Sequence, residues 1–148
     1  CGDFVYLPLL SFIYCLFYPC SLDNTTLTDW WENGASKKEK ATAAAYLHLT
    51  PCKPTAKEVA TVKTAAARTA LLRAALGSVA DRAIIPMYDC LGLGAEAHLN
   101  TPGKLGGNWA WRAKAGFDTK TLAAQIKAEC AVHCRCNADV QNVKELAI

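Results

Sequence analysis

Side chains that could bind a ligand are concentrated between Ile84 and Arg112. An apolar run there leads into a glycine-rich loop that ends in aromatic residues, an order typical of a buried strand that delivers a binding loop. The amide of Asn100 can both donate a hydrogen bond to a ligand hydroxyl and accept one from it, and Gly103 lets the backbone come close. Asn100 is therefore the first candidate contact.

Two tryptophans and three acids accompany this loop. Trp109 and Trp111 could offer flat faces to a ligand, but we predict that both pack. The acids that flank the apolar run are interpreted as helix caps or loop hydrogen-bond partners rather than as catalysts: Asp81, Asp89 and Glu96.

The chain contains eight cysteines at irregular spacings, which we interpret as mostly reduced thiols. Four possible zinc ligands stand close together near the C-terminus, namely Cys130, His133, Cys134 and Cys136. A structural zinc site normally takes its ligands from two separated knuckles, so we expect no metal site here. A small thiol- or zinc-binding protein organised by these residues is an alternative hypothesis.

The charge pattern makes nucleic acid a poor candidate partner, since a formal charge of +3 is spread along 148 residues without a basic block. Residues 4–18 form an apolar run of the length of a signal-peptide core or a short membrane helix. Asp3 precedes this run and Pro8 interrupts it, so we expect no membrane role. The run is then either a buried barrel strand with its approach loop or sequence that is not native to the domain. The chain opens on Cys1 and its only methionine is Met87, which suggests a fragment of a longer protein.

The middle of the chain is predicted to be helical. Two capping boxes, in which a hydroxyl caps an amide and a glutamate reaches back, mark helix starts: Ser36 with Glu39, and Thr55 with Glu58. We predict helices over residues 37–49 and 56–76 and a last helix that begins after Asp118 as its cap. The adjacent tryptophans at 30 and 31 should stand at the start of a helix, with one of them buried.

Residues 83–87 are the clearest strand candidate, although Pro86 cannot donate to a ladder. Helices on either side of a single strand are typical of one unit of a parallel α/β fold. We therefore predict an α/β chain that is the C-terminal part of a (β/α)8 barrel, the TIM barrel, and is predominantly helical by itself. In such barrels the binding residues lie on loops after the carboxyl ends of the strands.

The strongest sequence signal is a family resemblance in the loop region. The matching residues are Leu91-Gly92-Leu93-Gly94-Ala95-Glu96, Asn100-Thr101-Pro102-Gly103 and Gly107-Asn108-Trp109 with Trp111 and Arg112. With this spacing the segment resembles the C-terminal region of the 4-alpha-glucanotransferases, the amylomaltase or disproportionating-enzyme family, glycoside hydrolase family seventy-seven. It departs at Tyr88, where the family usually has glutamine, and at His98, where the family usually has a basic residue.

A second stretch, residues 18–26 followed by a pair of tryptophans, resembles a tyrosine-x-glycine-threonine-histidine-aspartate-asparagine-acid-threonine motif of the same family. In ungapped register Asp23 falls on the aspartate that assists catalysis by holding hydroxyls of the distorted sugar. Asn24 and Thr26 also match. Leu22 replaces the family's histidine and cannot donate to a substrate hydroxyl.

The resemblance implies retaining transfer of α-1,4-glucan segments between malto-oligosaccharides, with Asp23 stabilising the transition state and Asn24 and Asn100 binding substrate. It implies no cofactor, and it places the nucleophile and the acid/base upstream of the matching region, so we expect the chain alone to be inactive. The alternative function is a non-catalytic helical module, membrane-tethered through residues 4–18.

The expected organisation is an apolar segment over residues 1–17, the barrel part over 18–136 and a tail over 137–148. The expected compartment is the plastid for a plant or algal source and the cytoplasm for a bacterial one.

Overall fold

The computed structural model describes residues 16–17, as backbone only, and residues 23–136. Two short strands are embedded among helices, in the order β1 (Leu16–Phe17), α1 (Leu27–Asp29), a π-helix (Trp30–Gly34), α2 (Lys37–Tyr46), α3 (Ala56–Thr61), α4 (Thr64–Leu76), β2 (Arg82–Ala83), α5 (Met87–Leu91), a 3-10 helix (Ala95–Ala97) and α6 (Lys120–Val132). The prediction of a predominantly helical chain is confirmed, and the described residues by themselves close no barrel.

The two strands pair in parallel, with Leu16 opposite Arg82 and Phe17 opposite Ala83. Parallel pairing agrees with the predicted α/β class, and it makes part of the apolar run over 4–18 a strand. The predicted strand over 83–87 was wrong in its bounds. Pro86 has no N–H for a ladder and instead stands at the N-cap of α5, so the apolar run passes from strand into helix.

Both predicted capping boxes are formed. The hydroxyl of Ser36 accepts from the backbone N of Glu39 at 3.2 Å, and Glu39 Oε2 accepts from the backbone N of Ser36 at 2.8 Å. Thr55 and Glu58 make the same reciprocal pair. These caps fix where α2 and α3 begin because each satisfies N–H groups that the first helical turn leaves without partners.

The ends of these helices differ from prediction. α2 stops at Tyr46 rather than at residue 49, since His48 takes a left-handed backbone with φ of 56°. The single helix predicted over 56–76 is two helices, with Val62 extended between them. A run of β-branched residues loosens the first helix, and Thr61 Oγ1 donates to the carbonyl of Glu58 at 2.6 Å, which competes with helix continuation.

The core is small and lies between α1, the π-helix, α2 and α4. Trp31 is 5% exposed and packs with Ala44 and Ala67, which are fully buried, and the partly buried Trp30 covers this cluster. The π-helix, closed by the N–H of Ala35 on the carbonyl of Trp30 at 2.7 Å, orients the two rings. One tryptophan of the pair is buried, as predicted.

The last helix is bonded to the rest of the chain at its C-terminal end. α6 starts with Thr119 as its cap, one residue later than the predicted Asp118. Arg73 of α4 makes a bidentate ion pair with Glu129, at 2.7 Å for the closest atoms. Beyond the helix, Arg135 donates to the carbonyls of Ser78 at 2.9 Å and Ala80 at 2.8 Å, so it fixes the loop that leads into β2.

Within residues 16–17 and 23–136, no helix is long and apolar enough to cross a membrane. The apolar run over 4–18 falls largely outside these residues, as does the predicted tail over 137–148.

Candidate functional site

Two of the predicted site residues meet, although they stand far apart in the sequence. Asp23 lies in the segment that follows β1, and Asn100 lies in the loop that follows α5 and the 3-10 helix. Asn100 Nδ2 donates a hydrogen bond to Asp23 Oδ1. A carboxylate and an amide side by side offer both acceptor and donor atoms, which is the combination that recognises vicinal hydroxyl groups.

Asn24, the third predicted contact, is exposed next to Asp23. The roles of Asp23, Asn24 and Asn100 toward a substrate stay predictions.

The position of Asp23 is set by the capped start of α1. Thr26 is fully buried and its hydroxyl accepts from the backbone N of Asp29 at 3.1 Å. The backbone N of Leu27 donates to Oδ1 of Asp89, at 2.8 Å, and Asp89 is also fully buried. The interpretation of Asp89 as a hydrogen-bond partner is confirmed, but its partner lies 62 residues away rather than in its own loop. This bond ties α5 to the start of α1.

The loop that carries Asn100 is closed by its own hydrogen bonds. Asn108 Oδ1 accepts from the backbone N of Thr101 at 2.9 Å, and Asn108 Nδ2 donates to the carbonyl of Lys104 at 2.9 Å. The backbone N of Trp109 then donates to the carbonyl of Leu99 at 2.6 Å. The loop is therefore a preformed unit, and Asn100 is held where it begins.

Trp111 and Trp109 have different environments. Trp111 packs edge-on against Tyr88, with ring centroids 5.9 Å apart and an interplanar angle of 82°, so its predicted packing role is confirmed. Trp109 is 52% exposed, so the prediction that it packs was wrong. Arg112 Nη1 donates to the carbonyls of both tryptophans, which turns the chain so that only one ring faces inward.

A further carboxylate lies close to Asp23 along the chain. Hydrogen bonds from the hydroxyl of Thr25 and from Asn33 Nδ2, the latter at 2.7 Å, hold the pKa of Asp29 below its usual value, and nearby His98 lowers it further. Asp29 is consequently ionised at neutral pH and cannot serve as a proton donor there.

Two other predicted acids have structural partners. Glu96 Oε1 accepts from the backbone N of Gly94 at 3.0 Å, and Asp81 lies 3.6 Å from Arg82 in an exposed ion pair. The interpretation of Glu96 as a loop hydrogen-bond partner is confirmed, and that of Asp81 stays a prediction.

Two questions arise for the cysteines among the residues described: whether they could hold a metal, and what their surroundings do to the thiols of Cys90 and Cys130. In that part of the chain, no three His, Cys, Asp or Glu side chains come together in a way that could hold a metal ion, so the zinc alternative built on residues 130–136 is not formed. Burial, and then the charge of Asp89, raise the pKa of the Cys90 thiol. Burial likewise raises the pKa of Cys130. Thiols with raised pKa values stay protonated at neutral pH.

The sequence did not lead us to predict that Arg68 packs against Gly92. Gly92 has φ of +70°, and a Cβ placed there would lie 1.6 Å from Arg68 Nη1, so the guanidinium packs directly on the glycine. The repeated Leu-Gly pattern at 91–94 was the available signal, because a glycine that ends a helix often marks a left-handed turn and a close approach.

The fold and the candidate site together indicate the class of protein. The chain is a helix-rich part of a parallel α/β protein that brings a carboxylate and an amide together on segments that follow its two strands. Residues 10–119 match glycoside hydrolase family 77, described as 4-alpha-glucanotransferase, and the chain belongs to this family.

Relatives and a solved structure agree with this membership. The chain is 34% identical over 122 residues to the 4-alpha-glucanotransferase of Clostridium butyricum, which covers 82% of this chain and 23% of that protein. It is 34% identical over 111 residues to the chloroplastic/amyloplastic 4-alpha-glucanotransferase of Arabidopsis thaliana, covering 75% and 17%. Amylomaltase from Streptococcus agalactiae, solved in complex with acarbose, superposes with a TM-score of 0.66 at 27% identity, covering 82% of this chain and 22% of that one.

The chain thus spans about a quarter or less of the length of these relatives.

Proposed function

We propose that this chain is the C-terminal part of a 4-alpha-glucanotransferase that transfers α-1,4-glucan segments between malto-oligosaccharides with retention of anomeric configuration. The observation that carries the proposal is the hydrogen bond from Asn100 to Asp23, because it joins the two stretches of sequence that independently resemble the family. The parallel pairing of β1 with β2 supports a place in a (β/α)8 barrel, with residues 18–136 as its contribution.

The proposed chemistry assigns this chain to binding the sugar rather than to breaking its bond. Retaining transfer needs a nucleophilic carboxylate and an acid/base carboxyl group about 5 Å apart, and an acceptor hydroxyl takes the place of water in the second step. Both groups are expected upstream of the family-matching region. Asp23 would accept hydrogen bonds from hydroxyls of the distorted sugar, and such bonds strengthen as positive charge develops on the ring in the transition state.

Asn100 and Asn24 complete this arrangement. The amide of Asn100 holds the Asp23 carboxylate in one orientation, so less rotational freedom is lost when the sugar binds. Its carbonyl oxygen can accept from a sugar hydroxyl, and the exposed Asn24 can reach a neighbouring one.

The proposal extends to partners and compartment. The partner is an α-1,4-glucan or malto-oligosaccharide, and neither nucleic acid nor a cofactor has a part in the reaction. Relatives come both from bacteria and from plants, the latter described as chloroplastic/amyloplastic, which supports a plastid for a plant or algal source and the cytoplasm for a bacterial one. The comparisons give no support to the alternative of a membrane-tethered helical module.

Acarbose binding to the 148-residue chain tests the site directly. We expect calorimetry or NMR titration to show binding that weakens about tenfold or more in Asn100→Ala and in Asp23→Asn, since each loses a charge-assisted hydrogen bond. Asn33→Ala is the matched control, because it removes another exposed amide that donates to a carboxylate. Unchanged affinity in both site variants would refute the assignment.

A chimera tests the activity. The corresponding segment of the Clostridium butyricum enzyme is replaced by residues 18–136 of this chain, and the products from maltotriose are measured. We expect glucose and longer oligosaccharides, and their loss on Asp23→Ala. A folded chimera that is equally active with alanine at this position would contradict the role of Asp23.

A further inference from the structure

Trp109 combines surface exposure with an unusual backbone. Its φ is +63°, a region that costs about 1–3 kcal/mol for a bulky residue and that persists only when its surroundings hold it. The residue is 52% exposed, whereas the ring of Trp111 packs on Tyr88. Burial within the described residues therefore does not explain why a large aromatic side chain occupies this position.

The hydrogen bonds around Trp109 enforce this backbone. Its N–H is bonded to the carbonyl of Leu99 at 2.6 Å, and Arg112 Nη1 holds its carbonyl at 2.8 Å. Because Leu99 directly precedes Asn100, the first bond places the tryptophan backbone beside the residue that contacts Asp23. The strained segment and the carboxylate–amide pair are thus parts of one surface.

We infer that Trp109 is a stacking platform for a glucose residue of the glucan chain, next to the residue held by Asp23 and Asn100; this rests on the proposed function. A pyranose ring has an apolar face of C–H groups, and an exposed indole offers a flat, polarisable surface for it. A strained backbone that its surroundings hold in place is typical of ligand-binding sites, which agrees with this role.

Trp109→Gly separates binding from packing because the two roles predict opposite results. Glycine adopts positive φ without penalty, so the variant should resist urea as well as the natural chain does, or better, when far-UV circular dichroism follows unfolding. Its affinity for acarbose should nevertheless fall about tenfold. Trp109→Phe keeps an aromatic face and should retain affinity to within about threefold.

Leu105→Ala is the matched control, as it removes a fully exposed apolar side chain from the same loop and should leave affinity unchanged. In NMR spectra, acarbose should shift the indole N–H resonance that is missing from Trp109→Phe.

Failure of the stacking inference can be distinguished from failure of the proposed function. If acarbose binding is lost in Asn100→Ala but stays within twofold of the natural chain in Trp109→Gly, the stacking inference is overturned and the proposed function stands. A loss of urea resistance in Trp109→Gly would assign the ring to packing and would also overturn the inference. If the natural chain binds no acarbose, both the proposed site and its extension fail.

Discussion

Replacement of Asp89 by alanine would remove the side chain that connects α5 to the start of α1. Asp89 is fully buried, and its Oδ1 accepts from the backbone N of Leu27 at 2.8 Å. Alanine cannot accept this bond, so the N–H of Leu27 would lose its acceptor in surroundings with little access to water. Because the segment that carries Asp23 leads directly into α1, loosening this helix start should also move Asp23 away from Asn100.

The expected magnitude follows from the cost of leaving a buried donor without its partner, about 1–3 kcal/mol. Hydrogen exchange of the Leu27 amide measures this locally, and its protection should fall roughly 5- to 150-fold in Asp89→Ala. Asp89→Asn keeps an oxygen acceptor, so protection of the Leu27 amide should fall less in this variant. Acarbose affinity should fall in the alanine variant in parallel with protection.

Asp81→Ala is the control for this experiment, since its ion pair with Arg82 is exposed and worth little. Equal protection of the Leu27 amide in the natural chain and in Asp89→Ala would show that the bond does not hold the helix start. A uniform loss of protection over the whole chain would instead assign Asp89 to general stability, and the reasoning about Asp23 would be refuted.

Three further predictions follow from other contacts. The added methyl group of Gly103→Ala meets nothing within 4 Å, so this variant should lose only the free energy of left-handed strain, about 1–2 kcal/mol of stability. Gly92→Ala must also displace Arg68 and should lose about 1–3 kcal/mol more. The urea midpoints of the two variants check this. The bonds to Ser36 lower the pKa of Glu39 in the folded chain, so their stabilisation is present above the unfolded pKa and is lost as pH falls through the folded pKa. Helical circular dichroism should fall over that range less steeply in Glu39→Gln. The 148-residue chain alone should release no glucose from maltotriose, because the attacking carboxylate is expected upstream, and glucose release that is abolished by Asp23→Ala would contradict this.

Sequence reasoning succeeded where a structure depends on neighbouring residues. The capping boxes at Ser36 and Thr55 span three residues each, so their residue types alone determine them. The helix break at Val62 was missed because the alanine-rich pattern around it favours one continuous helix. The β-branched residues before the break end the helix only because Thr61 bonds to the carbonyl of Glu58. Pro86 was noticed, but whether it would end a strand or begin a helix depended on partners that local sequence does not show.

The candidate site was less accessible to such reasoning. Asp23 and Asn100 were predicted as site residues from the family resemblance alone. No sequence periodicity indicates that two residues 77 positions apart make contact. The bond from Leu27 to Asp89 is equally non-local, and a buried aspartate cannot be told from an exposed one by its neighbours in the chain. The exposure of Trp109 was misjudged because an ordinary extended backbone was assumed, whereas its φ is positive.

The guanidinium of Arg135 has a consequence for where this polypeptide can be shortened. The match to the family model ends at residue 119, yet Arg135 lies beyond that point and donates to carbonyls of the segment before β2. A product that ends at residue 119 would leave those carbonyl oxygens to water and would free the loop that leads into β2. The segment that matches the family model and the segment that must be synthesised to keep this loop in place therefore have different C-terminal limits.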